Sequence, residues 1–496
     1  MTLVRAFARC NASSTTRKAR RLLAAVVSTL FVIAVPGAHA VEAPSLIYEP
    51  VTVIESQLSR MASDGMTQFD VPGVAIALIR DNTPLYSGAW GVANIWTNAP
   101  VTNMTVFDAA SLGKPIAAYT ALTIVSRGQL GLDTALYKYL ATPYLERNTE
   151  TDQITMRQVL SHTSGLPNEV WHKTSTLVAS PGTEFSYSGN GYMYLQRVVE
   201  AIAGRPFNAI ASDSVFRSLG MASTGYIEGP GIAWQAANGH VPLSVVMYFM
   251  TRFMLWAAAV VFPVGLIVHR ILARRWLVST SMCSVLIAIC AVVSLVVPVY
   301  FFGMSIVRFV APIQALVAIS IAAVAAGATV GLKFLNRNQP LRTRAWPLLS
   351  TAIVGLIILS ALHFRAPALL VPVPAEPGRK ANAASSLQST ALDLARFFCR
   401  VASEAAAGRG VGNTMAQPVV HIGGRLSWGL GIGISDDNIG RALWQWGDNP
   451  GSQSIAIVYP ARGIGIVVTT NGMNGGALAR QLARQILGSD GEWTLH

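Results

Sequence analysis

Between residues 243 and 368 the chain carries four apolar stretches, at about 247–268, 276–301, 309–332 and 347–363. Each is near the roughly 20 residues that a helix needs to cross a bilayer. Pro263 and Pro298 fall inside two of them, which transmembrane helices tolerate. The rival reading is an apolar core domain between two soluble ones, and the connecting loops argue against it. Loop 269–276 holds Arg270, Arg274 and Arg275, and loop 333–344 holds Lys333, Arg337, Arg342 and Arg344, whereas 302–308 holds only Arg308. Basic loops stay in the cytoplasm, so four spans return the chain to the side it left. The composition agrees. Charged residues make up 12% and mean hydropathy is +0.44, against about 25% charged in soluble domains.

The N-terminus reads as an export signal over residues 1–40. A basic run at 17–21 precedes an apolar run at 22–35 and an A-x-A site at Ala38-His39-Ala40. Cleavage after Ala40 is expected, with an uncleaved anchor as the alternative. Signal and loop charges independently place residues 41–242 and 381–496 outside the cytoplasm. The expectation is a multi-pass protein of a bacterial-type inner membrane, with the bilayer as a partner and a globular domain facing the periplasm. The net charge of +13 would raise nucleic acid as a partner. The basic residues instead cluster beside the apolar stretches, and no RNP, zinc-finger or helix-turn-helix pattern is present. The cysteines at 10, 283, 290 and 399 form no C-x-x-C pair and no zinc spacing. No disulfide framework is expected, and Cys399 reads as a small buried hydrophobe. No H-E-x-x-H, P-loop or dinucleotide fingerprint occurs, so no metal or cofactor is expected.

The flanking segments read as one mixed globular domain, split in sequence by the four-span insertion. Two β-type runs in 73–94 surround the polar turn Asp81–Pro84, a hairpin pattern. Residues 114–128 have helical periodicity and stop at Gly128. Residues 155–165 form a short helix closed by a glycine. After the insertion come an amphipathic helix over 384–400, a hairpin over 452–472 around Pro460–Gly463, and a C-terminal helix over 476–488.

Within the first half, Ser111 stands three residues before Lys114. On a helix, positions i and i+3 share a face. A serine hydroxyl needs a base within hydrogen-bond reach to act as a nucleophile, and lysine is such a base only when burial or a neighbouring cation keeps it neutral. The neighbours Ala109, Ala110, Leu112, Ile116, Ala117 and Ala118 are apolar, and of six lysines only Lys114 has a serine three positions before it. Alone, this pair is also compatible with a solvated surface lysine.

Further motifs sharpen it. The stretches 107–118, 154–167, 181–204 and 442–472, in that order, resemble the serine β-lactamase-related family, the branch with class C β-lactamases, D-alanyl-D-alanine peptidases and serine esterases. The resemblance covers about 50–230 and 385–490, and leaves the insertion outside. It implies an α+β fold: an antiparallel sheet flanked by helices, plus a helical domain, with the active site between them. It also implies acyl transfer through a serine ester, with Ser111 as nucleophile, Lys114 as its base and Tyr187 as a proton relay, either as phenolate or as hydrogen-bonded phenol. The backbone N–H of Asp448, paired with that of Ser111, would form the oxyanion hole. Gly447 would allow close backbone approach.

Two departures bear on substrate. The family's Tyr-x-Asn becomes Tyr187-Ser188-Gly189-Asn190, with the asparagine one place late. The family's Lys-Thr-Gly becomes Gln445-Trp446-Gly447, and no lysine follows Lys380. A carboxylate anchor is thus lost, Gln445 is expected to face substrate as an uncharged hydrogen-bond donor, and Trp444 with Trp446 is expected to wall the site, which favours neutral or apolar acyl compounds. His162 is expected to hydrogen-bond locally at a helix end, since no G-x-S-x-G elbow makes it a triad member. Asn471 and Asn474 are expected to border the cleft. The reading is a membrane-tethered exported serine hydrolase, esterase-like, acting on a small-molecule or cell-wall-derived acyl substrate. Its rivals are a β-lactamase or D-Ala-D-Ala carboxypeptidase, an acylation-driven membrane sensor, and a catalytically silent domain.

Overall fold

Asp81 and Asn82 both take left-handed backbone angles, φ 55° and 54°. Such pairs make the tight hairpin turn that matches the twist of the flanking strands. They join β1 (Gly73–Arg80) to β2 (Thr83–Asn94), so the turn is two residues long and Thr83-Pro84 belong to the strand. Pro84 is accommodated where the register slips between Leu78 and Ile79. The computed structural model describes residues 45–168, 176–226, 236–242, 370–373 and 381–495. The expected signal at 1–40 and the four apolar stretches lie outside the described residues. Among the described residues, no helix is long and apolar enough to cross a membrane.

In chain order, α1 (Val51–Phe69) leads into the β1–β2 hairpin, followed by β3 (Ala99–Pro100), β4 (Phe107–Ala110), α2 (Gly113–Ser126), α3 (Met156–Leu160), α4 (Gly189–Ala203), α5 (Phe207–Ala211) and β5 (Gly239–Pro242). Beyond residue 369 come β6 (Leu370–Val373), β7 (Leu387–Ser389), α6 (Ala391–Ala406), α7 (Gly410–Met415), β8 (Val420–Gly423), β9 (Leu426–Trp428), β10 (Gly433–Asp436), β11 (Arg441–Asn449), β12 (Ser452–Tyr459), β13 (Ile464–Thr470) and α8 (Gly475–Leu487). The main sheet runs β3-β2-β1-β13-β12-β11-β10-β9-β8. Strand β1 from before the insertion pairs antiparallel with β13 from after it, Val74 opposite Thr470. The sheet is therefore built from both sides of the insertion.

Strand β1 has apolar residues on both faces, as a central strand between two layers must. Val74, Ile76 and Leu78 join the core beneath α1 and α8, whereas Ala75, Ala77 and Ile79 join the core shared with α2, α4 and α6. Helix α8 turns Leu478, Ala479, Leu482, Ala483 and Ile486 into the first core, the i, i+3, i+4 spacing of an amphipathic helix. Helix α6 starts later than its sequence pattern suggests. Residues 387–389 extend instead and pair with β4, and the Thr390 hydroxyl then caps α6 by accepting from the Asp393 N–H at 3.1 Å. Cys399, on this helix, is free and buried, and burial pushes its thiol up to about 12.

Strands β5 and β6 stand on either side of residues 243–369 and pair with each other, Pro242 opposite Leu370. Fully buried His240 ties this neck to the domain. Its N–H donates to Gly451 O (3.0 Å), its ring Nδ1 meets Asn471 O (2.9 Å), and Nε2 accepts from the Ile95 N–H (3.3 Å). Those contacts define one neutral tautomer, and burial lowers the ring's affinity for a proton. Because paired strands lie about 5 Å apart, an Asn-Gly turn can join Pro242 to Leu370 directly. A chain so shortened is expected to fold, with a melting temperature within about 5 °C of the full chain. Circular dichroism melting checks this, and a shortened chain that stays unfolded would show that 243–369 is needed to build the sheet.

Candidate active site

Strand β4 delivers Ser111 to the start of α2 through a strained residue. Ala110 has φ 49°, a left-handed conformation that costs a residue with a Cβ roughly 1–2 kcal/mol. Its N–H is held by Asp108 Oδ1 at 3.0 Å. Ser111 stays partly exposed, while Lys114, one helical turn on, is 2% exposed. The lysine Nζ lies 2.9 Å from Ser111 Oγ and donates to Ala384 O at 2.7 Å. The same carbonyl accepts from Ser111 Oγ at 3.4 Å. No acid pairs with Lys114 among the described residues. Burial lowers its pKa to about 7. The ammonium position also sits 4.7 Å from the centre of the Tyr187 ring.

Tyr187 meets Ser111 and Lys114 from the segment before α4. Burial pushes its hydroxyl up, and hydrogen bonds from Ser111 and Gln445 offset only part of that. Tyr187 is therefore a phenol at neutral pH, which removes the phenolate form from the two expected. His162 brackets it. The His162 carbonyl accepts from Ser186 N–H at 2.7 Å, its Nδ1 accepts from Ser188 N–H at 3.0 Å, and its ring centre lies 4.3 Å from that of Tyr187. Burial, reinforced by Lys114, holds the imidazole well below its usual range, so it stays neutral and keeps Nδ1 as an acceptor. The expected local hydrogen bond at the end of α3 exists, but its product is the fixed backbone on both sides of Tyr187. The left-handed His162 (φ 58°) turns the chain back to make this possible.

Strand β11 forms the opposite wall. Strand β10 pairs with it only as far as Trp444, so from Gln445 to Asn449 one edge has no strand in register. A Cβ on Gly447 would collide with Ala109 O and Ser454 Oγ, so only glycine lets β11 approach β4 this closely. Asp448, next along the strand, is exposed. Gln445 departs from expectation. It is fully buried, with Nε2 donating to Tyr187 Oη (3.0 Å) and Trp446 O (2.9 Å). Its amide supports the tyrosine and is not offered to a substrate carboxylate. Trp446 reaches Tyr187, ring centres 4.9 Å apart. Trp444 does not wall the site. It is fully buried in the core beneath α1 and α8, on the same face as Trp446, with ring centres 5.8 Å apart.

Asn190 lies in the first turn of α4, 1% exposed, with its N–H donating to Pro167 O at 3.3 Å. Asn471 and Asn474 serve the fold. Asn471 is buried and donates to Val92 O and Ala93 O, and Asn474 donates to Phe69 O. They sit just beyond β13 beside the neck, where Asn471 ties the strand end to β2 and Asn474 ties it to the end of α1. Sequence reasoning missed Arg480 and Arg484. They line a cavity of about 470 Å³ together with Trp446, Asp448 and Trp493. Neither arginine has an ion-pair partner among the described residues, and burial and Arg484 together act against the charge on Arg480. Helical spacing of the two was visible in the sequence; their approach to β11 was not.

The Beta-lactamase family profile matches residues 58–252 and 355–489, and the chain belongs to that family as a serine hydrolase. It is 27% identical over 191 residues to penicillin-binding protein 4 of Amycolatopsis lactamdurans, covering 35% of this chain and 50% of that protein. The chain thus spans about half the length of this curated relative. Two solved structures share the fold. The D-alanine carboxypeptidase AmpC of Burkholderia cenocepacia gives a TM-score of 0.56 at 16% identity, covering 88% of this chain and 99% of that one. The octameric penicillin-binding protein homologue of Pyrococcus abyssi gives 0.54 at 16%, covering 88% and 77%.

Replacing His162 by Leu leaves the buried Ser188 N–H without an acceptor. It is expected to destabilise the domain by about 1–3 kcal/mol, read by urea denaturation. Unchanged stability would show that another group takes over the bracket.

Proposed function

We propose that this protein is a membrane-tethered, exported serine hydrolase that forms an acyl-enzyme on Ser111 and acts on esters in preference to amides. The observation that carries the reading is the 2.9 Å Ser111–Lys114 pair with a lysine that burial brings to about 7. Near neutral pH much of Lys114 is uncharged. One N–H remains on the Ala384 carbonyl, and the lone pair takes the hydroxyl proton as Ser111 Oγ attacks the acyl carbon. The oxyanion forms between the Ser111 and Asp448 N–H groups, each worth about 3 kcal/mol when removed. As the tetrahedral intermediate collapses, Lys114 returns the proton to the leaving group, directly or through the Tyr187 phenol. Water then adds to the acyl-enzyme, giving up its proton to the same pair, and the acid departs.

The ester preference is supported by the chemistry beside the nucleophile. The strand position usually held by lysine is a buried glutamine, and Trp446 lies against Tyr187. A second reading, a D-alanyl carboxypeptidase, is favoured by Arg480 and Arg484. Their cavity adjoins Asp448 and would supply positive charge to a substrate carboxylate. Export and tethering are supported by the apolar stretches with their basic loops, and by the side-by-side strands β5 and β6, which suit an even number of spans. A phosphatase fused after residue 390 is expected to be active, and an inactive fusion would mean an odd number of spans and overturn the split exported domain.

A fluorophosphonate probe and a p-nitrophenyl ester test the chemistry on the full chain in detergent. Ser111→Ala should abolish labelling, and Lys114→Ala should slow it by about 10²- to 10⁴-fold. Labelling that persists in Ser111→Ala excludes this nucleophile. Rapid penicillin turnover would shift the assignment to the second reading.

The same pair fixes the pH dependence. Lys114 must be neutral to act, so kcat/KM should fall about tenfold per unit below pH 7 and level off above it. A profile flat between pH 5.5 and 8 would remove Lys114 as the base.

A further inference from the structure

We infer that Asn449 is a positioning residue, which clips together the three segments that must meet for Ser111 to react. This rests on the proposed role of Ser111. Asn449 closes β11, directly after the strand's Gln445–Asp448 segment. Its Nδ2 lies 2.9 Å from both Asp108 Oδ1 and Oδ2, and 2.9 Å from Ser385 O. One N–H is shared by the two carboxylate oxygens and the other goes to the carbonyl, so both amide hydrogens are used.

Each acceptor leads to a reacting group. Asp108 also holds the N–H of left-handed Ala110, the residue that aims Ser111. Ser385 follows Ala384, whose carbonyl accepts from Lys114 Nζ and Ser111 Oγ. Asn449 itself adjoins Asp448, whose N–H is the proposed oxyanion donor. A single amide therefore sets three distances: nucleophile to oxyanion donor, base to its carbonyl, and β4 to β11. The bond to Asp108 is charge-assisted, the stronger kind. The turn that carries Asn449 is itself fixed. Gly451, with φ 82°, packs on Gly239 and His240 of the neck, where a Cβ would lie 2.6 Å from the His240 nitrogen.

Such a residue acts on the transition state more than on ground-state binding. The full chain in detergent is compared as wild type, Asn449→Ala, Asn449→Asp, Asp108→Asn and the double variant Asp108→Asn/Asn449→Asp. The readouts are the fluorophosphonate labelling rate, kcat and KM for the ester, and melting temperature. Asn449→Asp sets two carboxylates together and should lower the labelling rate and kcat at least tenfold, with KM changed less than threefold. The double variant restores a donor between the two positions and should recover at least threefold over Asn449→Asp. Should Asn449→Asp fail to fold, Asn449→Ala decides, with an expected loss of at least fivefold. Folded single variants that label within twofold of wild type overturn the inference, as does a double variant no faster than Asn449→Asp. Wild-type protein that does not label at Ser111 overturns the functional reading itself, and is told apart because the Ser111→Ala control then matches wild type.

Discussion

A lysine ammonium almost out of reach of water and without a carboxylate beside it is the constraint around which the site is organised. Burying a charge without a counter-ion is expensive, and a titratable group meets the cost by giving up its proton. Lys114 does so, coming to about 7. A carbonyl takes one N–H and a serine hydroxyl stands at the lone pair, which suits the neutral amine, while the faces of Tyr187 and Tyr192 at 4.7 and 5.6 Å give the ammonium only weak support. A carboxylate placed nearby would have returned the lysine to its charged form and removed its free lone pair. The absence of an acid among the described residues around it thus has a chemical consequence.

The same low-polarity setting decides the protonation of the neighbours. It keeps Tyr187 a phenol and His162 a neutral imidazole. Three titratable groups packed together are held with no net charge near neutral pH, apart from the fraction of Lys114 that is protonated. The molecule accepts local strain to achieve this. Ala110 and His162 both adopt left-handed angles, one to aim Ser111 and the other to wrap the backbone around the tyrosine. Strain of this kind persists only where surrounding bonds over-determine it, which the Asp108 carboxylate and the Ser186 and Ser188 amides do.

The parts legible in the sequence are those encoded by local rules. Asp81-Asn82 announces a hairpin, the apolar run of β1 announces a central strand, and the Ser111–Lys114 spacing announces one helical face. What escaped depends on residues far apart in the chain. Residues 387–389 look like the start of α6 until β4 offers them a partner. Gln445 looks like an uncharged hydrogen-bond donor to substrate until the fold buries it against Tyr187. Trp444 and Trp446 look like one aromatic wall until α1 and α8 cover the first of the pair and leave only Trp446 partly exposed. Arg480 and Arg484 look like the solvated face of an amphipathic helix until α8 is laid beside β11. In each case the residue type was informative, but its meaning was set by a contact of long sequence separation.

The position of the insertion follows from the same sheet. A hairpin tip tolerates inserted chain because the ladder beneath it is already closed, and the loop-closure cost grows only slowly with length. Strands β5 and β6 supply that ladder, and His240 anchors it through both ring nitrogens and its backbone. The anchor bears on Gly451, two residues beyond Asn449 and three beyond Asp448. The free edge of β11 therefore begins where β10 stops, at Trp444, and ends where the neck holds the turn. A strand clamped at one end by pairing and at the other by the neck can present its main-chain donors in a fixed direction without a neighbouring strand to hide them. Such an edge suits the oxyanion role proposed for Asp448, and the base of the insertion completes the clamp.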